Sequence, residues 1–446
     1  MRAALTIAIG GLLLAWPALL NGYPIVFSDT GAFLFQALQP FMIWDKPWIY
    51  GPLLMLHGQI TLWLPLAGQV LLVSWMLWQT QAAFGPPSAR FHLTLIVALA
   101  AVTPAPWVAS LLMPDIFAPL VVLGVFLIAW GERLSRPVRG AIYVVTLVAI
   151  AVHLSHLIIA AALVALVPLL RLRWLPALRA AVPLAGAVAL LVATNAIGHG
   201  RPGVSPFGSV FMLARLAGDG LVEPVLAERC PAAGWRLCAW QGRLPVDSDE
   251  FLWSEQGPVW STPGGPIAFA AEAGEVARAA LLAAPLTAAG NALANMGRQV
   301  LLVHVGDALV PDHLALTVGL RLSQFFPSAE QLRFASSLQA RGELRAAADP
   351  LVRWQPVALA VLGALSALVL LRAAWRREAR LASLTALILG ACLANALATG
   401  ALSKPHHRYQ ARIVWLVLLP PAFSIRGSLP AGRRGSAAPR PDASAP

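Results

Sequence analysis

The sequence predicts an all-α integral membrane protein of about ten transmembrane helices, with a juxtamembrane helix in the first outer loop and a large outer segment before the last spans. Three observations carry that prediction. Of 446 residues, 58% are hydrophobic and 12% charged, and the mean hydropathy is +0.71, too apolar for a water-soluble globule or a disordered chain. Uncharged windows long enough to cross roughly 30 Å of hydrocarbon, at about 1.5 Å per residue, recur along the chain. The formal charge of +12 invites nucleic acid as a partner, but the basic residues punctuate those windows instead of gathering on a soluble face, and that reading is rejected.

The first span is 5–20. Arg2 ahead of it imitates a secretion signal, but no small-residue cleavage site follows, and the exit Asn21-Gly22-Tyr23-Pro24 marks a retained anchor. Residues 48–89 carry no Asp, Glu, Lys or Arg, yet they are too long for one crossing and are interrupted at Pro65. Their first part, 48–63, is predicted to lie at the interface, where its Trp residues are favoured, and 65–84 to form the second span. Further spans are predicted at 91–109, 115–131, 140–155, 156–170, 180–197, 354–371, 381–401 and 410–425. The chain then divides into an N-terminal transmembrane module 1–197, an outer segment 198–353, C-terminal spans 354–426, and a Pro/Ala/Ser/Gly/Arg-rich tail 427–446 expected to be disordered.

Orientation follows the short-loop arginines. With a cytoplasmic N-terminus, the inner loops hold Arg90, then Arg133, Arg136 and Arg139, then Arg171, Arg173 and Arg179, then Arg372, Arg376, Arg377 and Arg380, and the tail holds Arg426, Arg433, Arg434 and Arg440. Both termini face the cytoplasm, and 17 of the 20 acids fall outside. A span at 279–297 would flip every later loop, so that window is predicted as an amphipathic outer-surface helix, with Leu282, Leu286, Leu293, Met296 and Val300 at roughly helical spacing. Cys230 and Cys238 lie outside, where an oxidising compartment allows a disulfide, the alternative being two free thiols; Cys392 is an apolar filler. Lys46 and Lys404 are the only lysines, which points to a GC-rich bacterial genome, and the expected location is the bacterial inner membrane.

Charge beside apolar helices is costly and asks for a reason. Asp29, in Phe27-Ser28-Asp29-Thr30-Gly31, and Asp115, in Met113-Pro114-Asp115-Ile116-Phe117, both fall at outer helix ends. They are predicted to converge on one outward cavity under the outer segment, although each also suits a helix N-terminus, where capping contributes about 0.5–2 kcal/mol. The candidate anion partners are Lys46 and the loop Lys404-Pro405-His406-His407-Arg408, with Tyr409 and Arg412 following; a solvated turn on anionic lipid is the bland alternative. His153 and His156 can share a helix face near the same boundary, as substrate contacts or as an ordinary interfacial pair. Residues 221–260, rich in Trp and acids, suit either an acceptor surface or a folded cap. No P-loop, dinucleotide fingerprint, zinc motif or repeat is present, and no His/Asp/Glu cluster supports a divalent cation.

The early outer acid, the stretch Trp44-Asp45-Lys46-Pro47-Trp48 entering the interfacial helix, and Met-Pro-Asp opening the fourth span together resemble the GT-C superfamily of membrane glycosyltransferases. The resemblance is to the bacterial branch related to protein O-mannosyltransferases and the aminoarabinose transferase of lipid A, and covers roughly residues 1–200. It implies that Asp29 is the catalytic carboxylate, that Asp115 lines the site, that Lys46-Pro47 is the juxtamembrane basic-Pro element, and that the donor is a sugar on a polyprenyl phosphate with a protein or lipid acceptor. Family members commonly carry two adjacent acids in this loop, whereas Asp29 is flanked by Ser28 and Thr30. Two readings from other classes compete: a transporter or flippase of lipid-linked or small polar substrates, and a non-catalytic envelope-assembly protein. Neither inverted repeats nor midplane charges are visible in the sequence, which favours chemistry at the outer boundary.

Overall fold

The computed structural model describes residues 2–428, so the tail expected at 427–446 lies, from 429 on, outside the described residues. Among the described residues every regular element is helical, apart from one isolated parallel bridge between Ile25 and Leu111. Four helices are long and apolar enough to cross a membrane: Leu154–Arg171, Trp174–His199, Gln355–Trp375 and Ala379–Leu402. Several other apolar windows are interrupted. The first divides into Arg2–Leu14 and Trp16–Asn21 at Pro17 and ends on Gly22, whose φ of +76° a side chain would resist. The window 91–109 divides at Pro104 into Ala89–Val102 and Ala105–Ser110. The last is His407–Val414, a tight 3-10 turn and Leu419–Ser428, with Pro420 and Pro421 in the first turn of that final piece.

Burial explains how the helices assemble. Phe117–Trp130 is apolar all round and almost wholly buried, and it packs against Trp63–Phe84, Arg136–Ala151, Leu154–Arg171 and Ala379–Leu402. The Trp63–Phe84 helix buries Gln69, Ser74, Gln79, Thr80 and Gln81, so its polar side faces the bundle. Gln355–Trp375 does the reverse, exposing Val357, Val361, Leu365, Leu368 and Leu371 along one side. Such apolar exteriors suit hydrocarbon better than water. The segment expected as an interfacial helix at 48–63 is shorter than predicted. It holds Tyr50–Leu54 and one 3-10 turn, reverses at Gly58-Gln59, and exposes Met55, Leu56 and Ile60.

The segment 198–353 contributes to two cores. Phe207 through Ala280 enclose a small core of their own, while Val303 through Val352 join the main one. The window 279–297 is broken at Ala284, giving Gly265–Ala283 and Pro285–Leu301. The second helix lies along Ala379–Leu402 and buries Asn295 and Gln299 there, while Leu286 and Leu293 stay 87% and 65% exposed. Its apolar face therefore points outward. Gly400 makes the contact close, since a Cβ there would stand 2.7 Å from the Asn295 carbonyl oxygen.

Candidate active site

Two backbone hydrogen bonds stitch the acid-bearing segments together. Ile25 N–H donates to the Ser110 carbonyl at 3.0 Å, and Leu112 N–H donates to the Ile25 carbonyl at 2.9 Å. Asp29 stands in the first turn of Ser28–Leu38, whose start is held by Thr30: its hydroxyl accepts from Phe27 N–H at 2.9 Å and donates to the Leu112 carbonyl at 2.9 Å. Lys46 Nζ lies 3.2 Å from Asp29 Oδ1 and also pairs with Asp45, and Arg408 Nη2 is 4.0 Å from Asp29 Oδ2. Burial pushes the Asp29 carboxyl up, but the Lys46 and Arg408 charges outweigh it and hold the group below its ordinary value. The same burial pushes the Lys46 ammonium down, and Asp29 and Asp45 more than restore it. Asp29 is thus a carboxylate at neutral pH, and its side chain remains 34% exposed.

Asp29 lines a cavity of about 1120 Å³ between the loop after Asn21 and parts of the 198–353 segment. Phe27, Phe35 and Phe41 give it an apolar wall, while Asp249, Asp307 and Asp312 contribute acids, and Arg321, Arg345, His313, His406 and Arg408 contribute bases. Arg408 lies over the Phe27 ring at 4.0 Å, and its Nη1 has no hydrogen-bond partner among the described residues. Arg321 stacks on Phe35 at 4.2 Å.

Asp115 does not border this cavity, contrary to the expected pair of carboxylates on one wall. It is buried in the turn Pro114–Ile116, and Arg412 Nη1 lies 3.5 Å from its Oδ1. Arg412, wholly buried, also donates to Asn395 Oδ1 at 2.7 and 3.1 Å and to the Ser155 hydroxyl at 2.8 Å. His153 Nδ1 lies 2.8 Å from the same hydroxyl, and His156 Nδ1 lies 2.7 Å from the Ala149 carbonyl oxygen. These residues form a polar layer beneath the cavity, and both Asp29 and Asp115 act on the Arg408 charge that stands between the two levels.

The basic loop is divided in its attachments. Lys404 donates to Asp247 at 2.6 Å and Asp249 at 3.0 Å, and His406 Nε2 lies 3.3 Å from Asp249. Burial raises the Asp249 carboxyl, but His406 and Lys404 bring it below its ordinary value. His407 Nδ1 accepts from His304 N–H at 3.3 Å, and Tyr409 packs edge-on against His406. Lys404 thus anchors residues 247–249 instead of facing the cavity as a free cation. Cys230 and Cys238, a short way before Asp247 in the chain, are joined by a disulfide, and Cys392 is a buried thiol.

Several residues that organise the site carry no sequence signal. Glu330 is buried and accepts from Tyr23 Oη at 2.7 Å, Leu62 N–H at 2.8 Å and Thr61 Oγ1 at 3.1 Å, which pins both ends of the 21–63 segment. Gln339 donates to the Val26 and Ala308 carbonyls and accepts from Val26 N–H, one turn of chain ahead of Asp29. Among the described residues no group of three or more His, Cys, Asp and Glu side chains converges as a metal site, and the surroundings of Asp29, dominated by Lys46 and Arg408, do not suit a divalent cation. No family model, curated protein or solved structure matches the chain.

Proposed function

We propose that this chain is a membrane glycosyltransferase that moves a sugar from a polyprenyl-phosphate donor to a lipid, glycan or protein acceptor at the periplasmic face of a bacterial inner membrane. The observation that carries the reading is the large cavity with an ionised, cation-held Asp29 at its wall and arginines around it. The short-loop arginines favour ten spans with both termini inside, a GT-C-like arrangement in which 1–197 and 354–426 bear the cavity and 198–353 covers it. In that reading the acceptor O–H or N–H gives its proton to Asp29 as its heavy atom bonds to the anomeric carbon. The bond from that carbon to the phosphate oxygen breaks, and its electron pair leaves on the phosphate.

The departing phosphate needs positive charge that is not already spent. Arg321 and Arg345 on the cavity wall, which make no ion pair among the described residues, meet that need better than Lys404, which two carboxylates occupy, and Arg408 adds a charge that it shares with Asp29. Asp115 and Arg412 act from beneath, as positioning residues for Arg408. The test is to incubate the purified protein with polyprenyl-phosphate sugars and candidate acceptors, comparing wild type with Asp29→Asn. Transfer by the wild type that is lost in the variant supports the reading. Inert wild type that instead drives substrate uptake into vesicles replaces it with transport.

A further inference from the structure

A second cavity, of about 390 Å³, lies at the opposite end of the helix bundle. Arg136, Arg139 and Tyr143 reach it from the Arg136–Ala151 helix, Arg179 from Trp174–His199, and Leu127 and Ile128 form its floor from Phe117–Trp130. Tyr143, the lining residue furthest along the Arg136–Ala151 helix, stands ten residues before His153, roughly 15 Å at 1.5 Å per residue from the layer beneath the Asp29 cavity. The two sites cannot share a ligand headgroup.

We infer that this cavity binds a phosphate group of the kind an anionic phospholipid headgroup presents. Three guanidinium groups and a phenol line it, and no carboxylate does. Among the described residues none of the three guanidiniums makes an ion pair, whereas the nearby Glu132 is already committed to Arg171 and Arg380. Loop arginines that merely set orientation can point anywhere into water; these three, from two helices, converge on one concavity, and planar guanidinium forks match phosphate oxygens two at a time. The surroundings change to apolar within a turn: Val144 follows Gly140 on its helix and Val182 follows Arg179, and both are more than half exposed. A polar pocket with an apolar surface immediately along the helices suits a headgroup with its acyl chains.

Native mass spectrometry on the full chain, titrated with phosphatidylglycerol or phosphatidylcholine, tests this. The wild type is expected to retain phosphatidylglycerol selectively, and Arg139→Gln/Arg179→Gln to weaken that retention by about tenfold or more. Gly140→Trp leaves every charge in place but fills the cavity, since a Cβ there meets nothing within 4 Å, and it is expected to weaken retention similarly. Arg376→Gln/Arg377→Gln removes the same charge elsewhere and is expected to behave as wild type. Inorganic phosphate or glycerol phosphate that displaces the lipid at millimolar concentration shows that the phosphate group alone suffices. Failure of displacement shows that the chains add to it, and either result supports the site. The inference is overturned if both cavity variants hold phosphatidylglycerol as tightly as wild type, if the control pair loses as much as they do, or if phosphatidylcholine is retained equally.

Discussion

At the scale of single residues, the cavity acid and the buried acid make opposite demands. Asp29 is held ionised by neighbours while remaining open to a ligand, so Asp29→Asn is expected to lower transfer by about 10²–10⁴-fold with little loss of fold, measured as initial rate beside a thermal melt. Because its carboxyl sits below its ordinary value, the ion pair with Lys46 is present at neutral pH and is lost only as pH falls through that depressed value. The acid limb of the rate profile is therefore expected below the usual carboxylate range of about 4, and a limb near 6 or above would contradict an Asp29 base. Asp115 is the structural partner. Asp115→Asn leaves Arg412 buried with its charge uncompensated and is expected to cost about 3–5 kcal/mol, whereas adding Arg412→Met should recover part of that loss in a thermal-unfolding cycle. Asp29, Lys46 and Arg408 were legible in the sequence because charge next to apolar helices stands out. The Asp115–Arg412 pairing was not, because nothing in either local pattern records a contact made across the whole chain.

Among the elements, Pro285–Leu301 departs furthest from its sequence pattern. Periodicity located a helix with one apolar side, and helical packing ordinarily turns such a side toward the protein. Here the tight approach at Gly400, together with the paired hydrogen bonds of Gln299 to the His406 backbone at 2.8 and 3.0 Å, turns the polar side inward instead. Periodicity reports that a helix has two faces and is silent on which one the solvent will be. Gly400→Leu should force the two helices apart, destabilising the protein by about 1–3 kcal/mol or more in detergent melts, while Gly363→Leu, where a Cβ meets nothing within 4 Å, should have little effect. The broken helices show the same limit. Hydropathy windows averaged across Pro17 and Pro104, whereas the backbone stops at each and starts again, because proline takes away a donor that the preceding turn requires.

The whole molecule joins two cores through a few polar and aromatic links, and some of the linking residues also line the Asp29 cavity. The core of Phe207 to Ala280 meets the basic loop through Lys404, Asp247 and Asp249, and it meets the 21–63 segment through Trp44, which stacks on Phe211 at 5.3 Å. Lys46 adds to this by lying 5.7 Å from the Trp253 ring while it holds Asp29, so the residue that tunes the acid also touches the cover. The ion pairs at Lys404 are partly exposed and open to screening, and each contributes modestly, about 1 kcal/mol or less. A cover attached in this way should be loosened without unfolding either core. Lys404→Glu is accordingly expected to speed proteolytic cleavage between residues 240 and 265 and to raise KM more than it lowers kcat, while the bundle melts as in wild type. Adding Asp247→Lys and Asp249→Lys restores opposite charge across the same gap and should reverse both effects. If the reversed pair cleaves as fast as Lys404→Glu alone, then the aromatic contacts of Trp44 hold the cover and the ion pairs are incidental to its position.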